Sequence, residues 1–155
     1  MFNLDRYNFS VSQTFFDYEF ESVGVKGVIK KVARFDLMGN SLYNFGFGDL
    51  DPLTGEISDT VVSNNGDGDK VLGTVAQIIY YFTGVYQGSA VFIQGTSPAR
   101  TRRYQMGIAK YWEVIDPVFE IVGLTNGKWE PFRHGVNYEA FIGRRKTSFF
   151  MFGDG

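Results

Sequence analysis

The sequence predicts an α+β fold: a mostly antiparallel sheet of about six to eight strands with two helices, in the order β-β-β-(β)-α-β-α-β-β-β. Three observations carry this. Ahead of Asn64, apolar and polar residues alternate, the period of half-buried strands. Two later stretches, 69–82 and 97–114, set their apolar residues at helical spacing. Aromatic residues make up 17% of the chain and there are 19 glycines, which together favour strands joined by tight turns. A length of 155 residues suits a single domain, 1–155, able to bury a core without disulfides.

The first strand is expected over 7–20. Phe9 and Val11 share one parity and Phe16, Tyr18 and Phe20 the other, so the shift near 13–15 reads as a β-bulge or as two short strands. A turn at Ser22-Val23-Gly24 leads to a second strand over 27–38. Ile29, Ala33, Phe35 and Leu37 would face the core, and Lys30, Val32, Arg34 and Asp36 the other side. After the turn pair Gly39-Asn40, a third strand spans 41–49. Tyr43, Phe45 and Phe47 line one of its faces; Asn44, Gly46 and Gly48 line the other, where the glycines let another element or a ligand come close. A shorter fourth strand is expected over 56–63.

Asn64-Asn65-Gly66-Asp67-Gly68-Asp69 ends the β pattern and opens a helix over 69–82. Val71, Leu72, Val75, Ile78, Ile79 and Phe82 form its apolar face. Asp67 or Asp69 would cap it, and Gly84 would stop it. A buried-type strand follows over 89–94. Ser97 is then a good N-cap and Pro98 suits the first helical position, so a second helix runs to about Val114 and ends before Asp116-Pro117. Strands over 118–124 and 128–133 flank Thr125-Asn126-Gly127, a strong hairpin signal. A last strand spans 137–143, followed by Arg144-Arg145-Lys146 and the aromatic run Phe149-Phe150-Met151-Phe152. The segment 147–155 is either an exposed aromatic tail or a strand folded back on the core, with the basic run as gatekeeper.

The bulk charge excludes little but directs the search. A net charge of −2 offers no overall field toward nucleic acid or membrane, so nucleic-acid binding is not favoured and any anion must meet a local patch. There is no cysteine, which removes disulfides and thiolate metal sites and fits a cytoplasmic location. The N-terminus lacks the blocks of a signal peptide, and the longest apolar run, 71–86, is interrupted by Gly73, Thr74, Gln77, Thr83 and Gly84, too short and too polar to span a bilayer. No Walker loop, dinucleotide fingerprint or zinc-protease motif is present.

The candidate binding site lies at the start of the second helix, with Ser97, Arg100, Arg102, Arg103 and Tyr104. Free N–H groups and the positive end of a helix dipole favour an anion there. Arg100 stands in line with Tyr104, Ile108 and Tyr111 on the inward stripe, so it must reach a carboxylate, a carbonyl or a bound anion. A phosphate- or carboxylate-binding pocket satisfies that need; so does an internal salt bridge to an aspartate. The counterpart is the loop of Asn65, Asp67, Asp69 and Lys70. Its oxygens resemble cation ligands, but it does not continue into a calcium loop, and turn and cap roles explain it without a metal. As a pyrophosphate loop for an acyl-CoA-dependent transferase it is too acidic. His134, the single histidine, reads as part of the turn before the last strand, without a nucleophile motif beside it. No catalytic residue, cofactor or metal is expected.

Several stretches resemble a family of small bacterial proteins, mostly from Bacteroidota, known as a domain of unknown function. They include Tyr7-Asn8-Phe9, Phe20-Glu21-Ser22, Asn44-Phe45-Gly46-Phe47-Gly48-Asp49 and Asn64-Asn65-Gly66-Asp67. They continue through Gly24, Lys70-Val71-Leu72 with Thr74-Val75, Gly95-Thr96-Ser97-Pro98-Ala99-Arg100-Thr101-Arg102, Tyr104-Gln105, Tyr138-Glu139-Ala140-Phe141 and Arg145-Lys146. The resemblance covers almost the whole chain. It departs at Thr96-Ser97, where the family pattern reads Ser-Thr, and at Arg103, where it reads an apolar residue; the second departure favours Arg100 and Arg102 for any shared role. The resemblance implies a single cytoplasmic domain and no particular reaction.

Three functions follow as expectations. The first is a non-enzymatic binding or regulatory module whose groove, between the second helix and the acidic loop, takes an anionic ligand or protein partner on Arg100 and Arg102. The second is an enzyme acting on a phosphorylated or nucleotide substrate, with Tyr104, Asp67 or Asp69 and the arginines as its polar groups. The third is an assembly protein, a homo-oligomer included, that uses the 149–152 tail.

Overall fold

Aromatic alternation builds the first half of the sheet. The computed structural model of the chain describes residues 2–58 and 64–146. The parity break near 13–15 is a true interruption: strand β1 (Ser10–Val11) and strand β2 (Asp17–Gly24) are separated by a turn in which Phe15 takes φ 65°. They pair antiparallel, Ser10 opposite Glu19. β2 turns Tyr18, Phe20 and Ser22 inward and hydrogen-bonds to β3 (Gly27–Gly39), which pairs in turn with β4 (Leu42–Leu50). Ala33, Phe35 and Phe45 are buried as the alternation requires. Two side chains depart from it. Leu37, expected inward, is 64% exposed because it lies beyond the core, beside the register shift between Leu37 and Gly39. Val32, expected outward, is buried.

The fourth expected strand is seen as β5 (Ile57–Ser58), which lies beside β4 with Ser58 opposite Asp49; positions 59–63 fall outside the described residues. This is the close approach that the glycines of β4 permit. A Cβ on Gly48 would stand 2.4 Å from the Ser58 carbonyl oxygen.

Helix α1 (Gly68–Val85) buries Val75, Ile78 and Phe82 against the sheet, with the Phe82 and Phe35 rings stacked at 3.9 Å. It runs past Gly84, contrary to expectation. A Cβ at Gly84 would lie 2.8 Å from a guanidinium nitrogen of Arg145, the far end of a flexible side chain. Strand β6 (Ala90–Ile93) then lies parallel to β4, as the long helical connection allows. Helix α2 (Pro98–Lys110) starts as predicted, with the Ser97 hydroxyl accepting from the Arg100 N–H at 3.2 Å. It breaks at Tyr111 instead of reaching Val114, and a short helix α3 (Trp112–Ile115) follows. β7 (Phe119–Thr125) and β8 (Lys128–Pro131) form the Asn-Gly hairpin, both turn residues at positive φ. β9 (Ala140–Arg145) inserts between β6 and β7.

The sheet runs β1-β2-β3-β4-β6-β9-β7-β8, with β5 off the path beside β4. Only β4 and β6 are parallel among the described pairs. The fold is α+β as predicted, with nine strands among the described residues, of which β1 and β5 are two-residue pieces. Val75, Ile78 and Phe82 of α1 and Ile108 of α2 enter one core with the sheet's aromatic face. Among the described residues no helix is long and apolar enough to cross a membrane.

Candidate functional site

The start of α2 is held by its own sequence. Gly95 packs so closely on the first helical turn that a Cβ would lie 2.5 Å from both the Arg100 Cβ and the Thr101 nitrogen. The buried Thr101 hydroxyl accepts from the Gly95 N–H at 3.0 Å and donates to the Ser97 carbonyl at 3.2 Å. One side of the helix is clipped to the segment before β9 by Gln105, whose carbonyl accepts from the Tyr138 N–H and whose amide donates to the Val136 carbonyl. The other side looks across a cleft of about 340 Å³ to the 64–69 loop.

That cleft gathers most of the predicted site. Arg100 and Tyr104, half-buried, and Arg103, exposed, line it from α2. Asn64, Asn65, Asp67 and Asp69 line it from the loop, and Lys31, Phe47 and Asp49 form its floor. Arg102 and Ser97 do not reach it. They border a second, shallow groove with Gln94, Gln105 and Tyr138. Lys70 also turns away, its ammonium 4.4 Å from the centre of the Tyr7 ring.

The loop acids are engaged elsewhere. Asp67 occupies the N-cap position of α1, but its side chain does not cap; it accepts from the Tyr7 hydroxyl and the Ser22 hydroxyl, each at 2.6 Å. Burial pushes its carboxyl up, but the hydrogen bonds from Ser22 and Tyr7, its own N–H and the Lys31 charge outweigh this and hold it below the ordinary aspartate value. The same contact and burial push the Tyr7 phenol up. Asp69 pairs with Lys110 at 2.5 Å. Asn65 is buried and structural: its amide donates to Ser22 and Gly27, and its oxygen accepts from the Lys26 N–H at 2.6 Å. It pins the loop to the β2–β3 turn.

Lys31 is the site residue that the sequence reading passed over. It is only 6% exposed, yet its ammonium meets the Asp49 carboxylate at 2.5 Å and lies 6.0 Å from the centre of the Phe47 ring. The signal was in the alternation, since position 31 falls on the inward parity between Ile29 and Ala33.

The other candidates are structural. His134 is exposed and packs edge-on against Trp112 and Phe132. Arg144 and Lys146 pair with Glu120 and Asp116. The Arg145 guanidinium lies 4.0 Å from the centre of the Tyr80 ring and donates to Thr83 and the Tyr80 carbonyl. The aromatic tail, 147–155, lies outside the described residues. Among the described residues no group of three acidic or histidine side chains is gathered to hold a metal ion.

No curated protein and no solved structure matches the chain. A family model does match, over nearly its whole length, residues 3–146, so the chain belongs to the Family of unknown function (DUF6934).

Proposed function

We propose that the protein is a non-enzymatic binding module that takes an anionic group, a phosphate or carboxylate, in the cleft between α2 and the 64–69 loop. One observation carries this reading. The acids of the cleft wall and floor each have a hydrogen-bond or ion-pair partner, Asp67 in Tyr7 and Ser22, Asp69 in Lys110 and Asp49 in Lys31, and α2 brings the exposed Arg103 to the same space. An arginine fork suits a planar or tetrahedral anion. Arg100 and Arg103 are the residues we assign to it, with Arg102 set aside because it borders the other groove. The reading places the module in a bacterial cytoplasm, as the family resemblance implies.

An enzyme using Asp67 finds less support. A carboxyl held ionised by two short hydrogen bonds is poorly suited to donate a proton near neutral pH. The test is calorimetric titration of the protein with inorganic phosphate and with a nucleoside monophosphate. Arg103→Ala, an exposed position, should weaken binding at least tenfold with little change in melting temperature, and Arg102→Ala should leave it unchanged. Equal effects of the two substitutions, or no binding by the native protein, would overturn the reading.

A further inference from the structure

An apolar space adjoins the cleft at its inner end. A second cavity, of about 70 Å³, lies between α1, α2 and the sheet. Val75, Ala76, Ile79, Val91 and Ile108 are among the side chains that line it, and its wall is almost wholly apolar. Leu72 and Tyr104 line both this cavity and the cleft, so these two side chains form the partition between a charged and an apolar space. Gly107 thins the helix wall at the same place, where a Cβ would press on Leu72 at 3.3 Å. A dry, apolar cavity of this kind accepts apolar groups in preference to water.

We infer that the ligand of this site is an amphiphilic anion: a charged head seated by Arg103 and Arg100 and a short alkyl tail that passes between Leu72 and Tyr104 into the apolar cavity. The inference rests on the proposed anion site and adds what the rest of the ligand must be. With about 30 Å³ per water-sized group, the cavity takes a tail of roughly two or three carbons. Burying each methylene should tighten binding about fourfold. A bare anion leaves this space unused, and a long rigid tail would not fit without movement of the partition.

The experiment is a titration series on the whole chain: inorganic phosphate, then methyl, ethyl, propyl, butyl and octyl phosphate, with the matching carboxylates as a second arm. Affinity should climb over the first two or three carbons, by roughly fifteenfold to sixtyfold in all, and then level off. Either head group showing this climb supports the inference, and the arm that binds tighter identifies the head. Ala76→Leu, which fills the cavity without touching the cleft, should abolish the tail-length dependence and leave phosphate binding in place. If that variant is unstable, the native series still decides. Phosphate binding with no dependence on tail length would overturn the amphiphile and leave the anion site standing; no binding of any member would overturn both.

Discussion

The Lys31 ammonium and the Asp49 carboxylate meet at 2.5 Å because the β3–β4 register places the two residues directly opposite each other. Both side chains are largely buried, the lysine almost fully. A buried pair is costly to break from one side, since removing the carboxylate takes the charged acceptor from a desolvated ammonium. Asp49→Asn should therefore cost about 3 kcal/mol in urea unfolding. The double replacement Lys31→Met with Asp49→Leu should cost less than that single change, because neither charge is then left behind. A double variant less stable than Asp49→Asn would show that the pair is worth more than apolar packing at this site.

Asp67 gives a pH signature. Its folded carboxyl titrates below the ordinary value of 3.8, so between the two values the unfolded chain binds the extra proton. Stability from this group is present above pH 4 or so and is lost as pH falls through the folded value. Asp67→Asn keeps acceptor oxygen for Tyr7 and Ser22 but cannot titrate. The stability difference between native protein and variant should shrink as pH drops from 5 toward 2. Tyr7→Phe should cost about 2 kcal/mol at neutral pH through the lost bond to a charged acceptor. A difference independent of pH would exclude Asp67 as the titrating group.

Gly95 and Ser97 test whether α2 is set by its entry turn. Gly95→Ala places a methyl 2.5 Å from backbone and from the Arg100 Cβ, neither of which is a flexible chain end. The cost should be about 1–3 kcal/mol, with weaker anion binding because Arg100 is displaced. Ser97→Ala removes only the cap and should cost about 1 kcal/mol with binding nearly intact. Denaturation curves and phosphate titrations of the two variants separate the roles.

Local chemistry made much of this legible. Alternation located the strands, Ser97-Pro98 located the start of α2, and Asn126-Gly127 located the hairpin, because each is decided by neighbours in the chain. Which groove each arginine lines follows from helix geometry, although the sequence reading favoured Arg100 with Arg102. Arg102 is two positions from Arg100, about 200° around a helix, so the two guanidiniums leave opposite sides, whereas Arg103 returns toward Arg100. Sheet order was not legible. The parallel seam of β4 with β6 and the insertion of β9 are pairings across tens of residues with no local mark. The fate of Asp67 was hidden for the same reason. A cap position predicts a bond to its own helix, and Tyr7 and Ser22 reach it from far earlier in the chain.

Tyr18 provides the last prediction. Its ring is fully buried among Phe9, Phe35 and Tyr81, and its hydroxyl has no hydrogen-bond partner among the described residues. A buried hydroxyl without a partner carries a desolvation cost that its ring packing must offset. Tyr18→Phe keeps the ring and removes that cost, so the variant should be as stable as the native protein or more so, by up to about 1 kcal/mol in chemical denaturation. Burial also pushes the Tyr18 phenol well above its ordinary value of 10.0. Above that pH the unfolded chain loses a proton that the folded chain keeps, so the native protein loses stability as pH rises. The phenylalanine variant lacks this loss, and its advantage should widen between pH 9 and 11. A variant destabilised by 1 kcal/mol or more at neutral pH would mean that the hydroxyl is satisfied in solution.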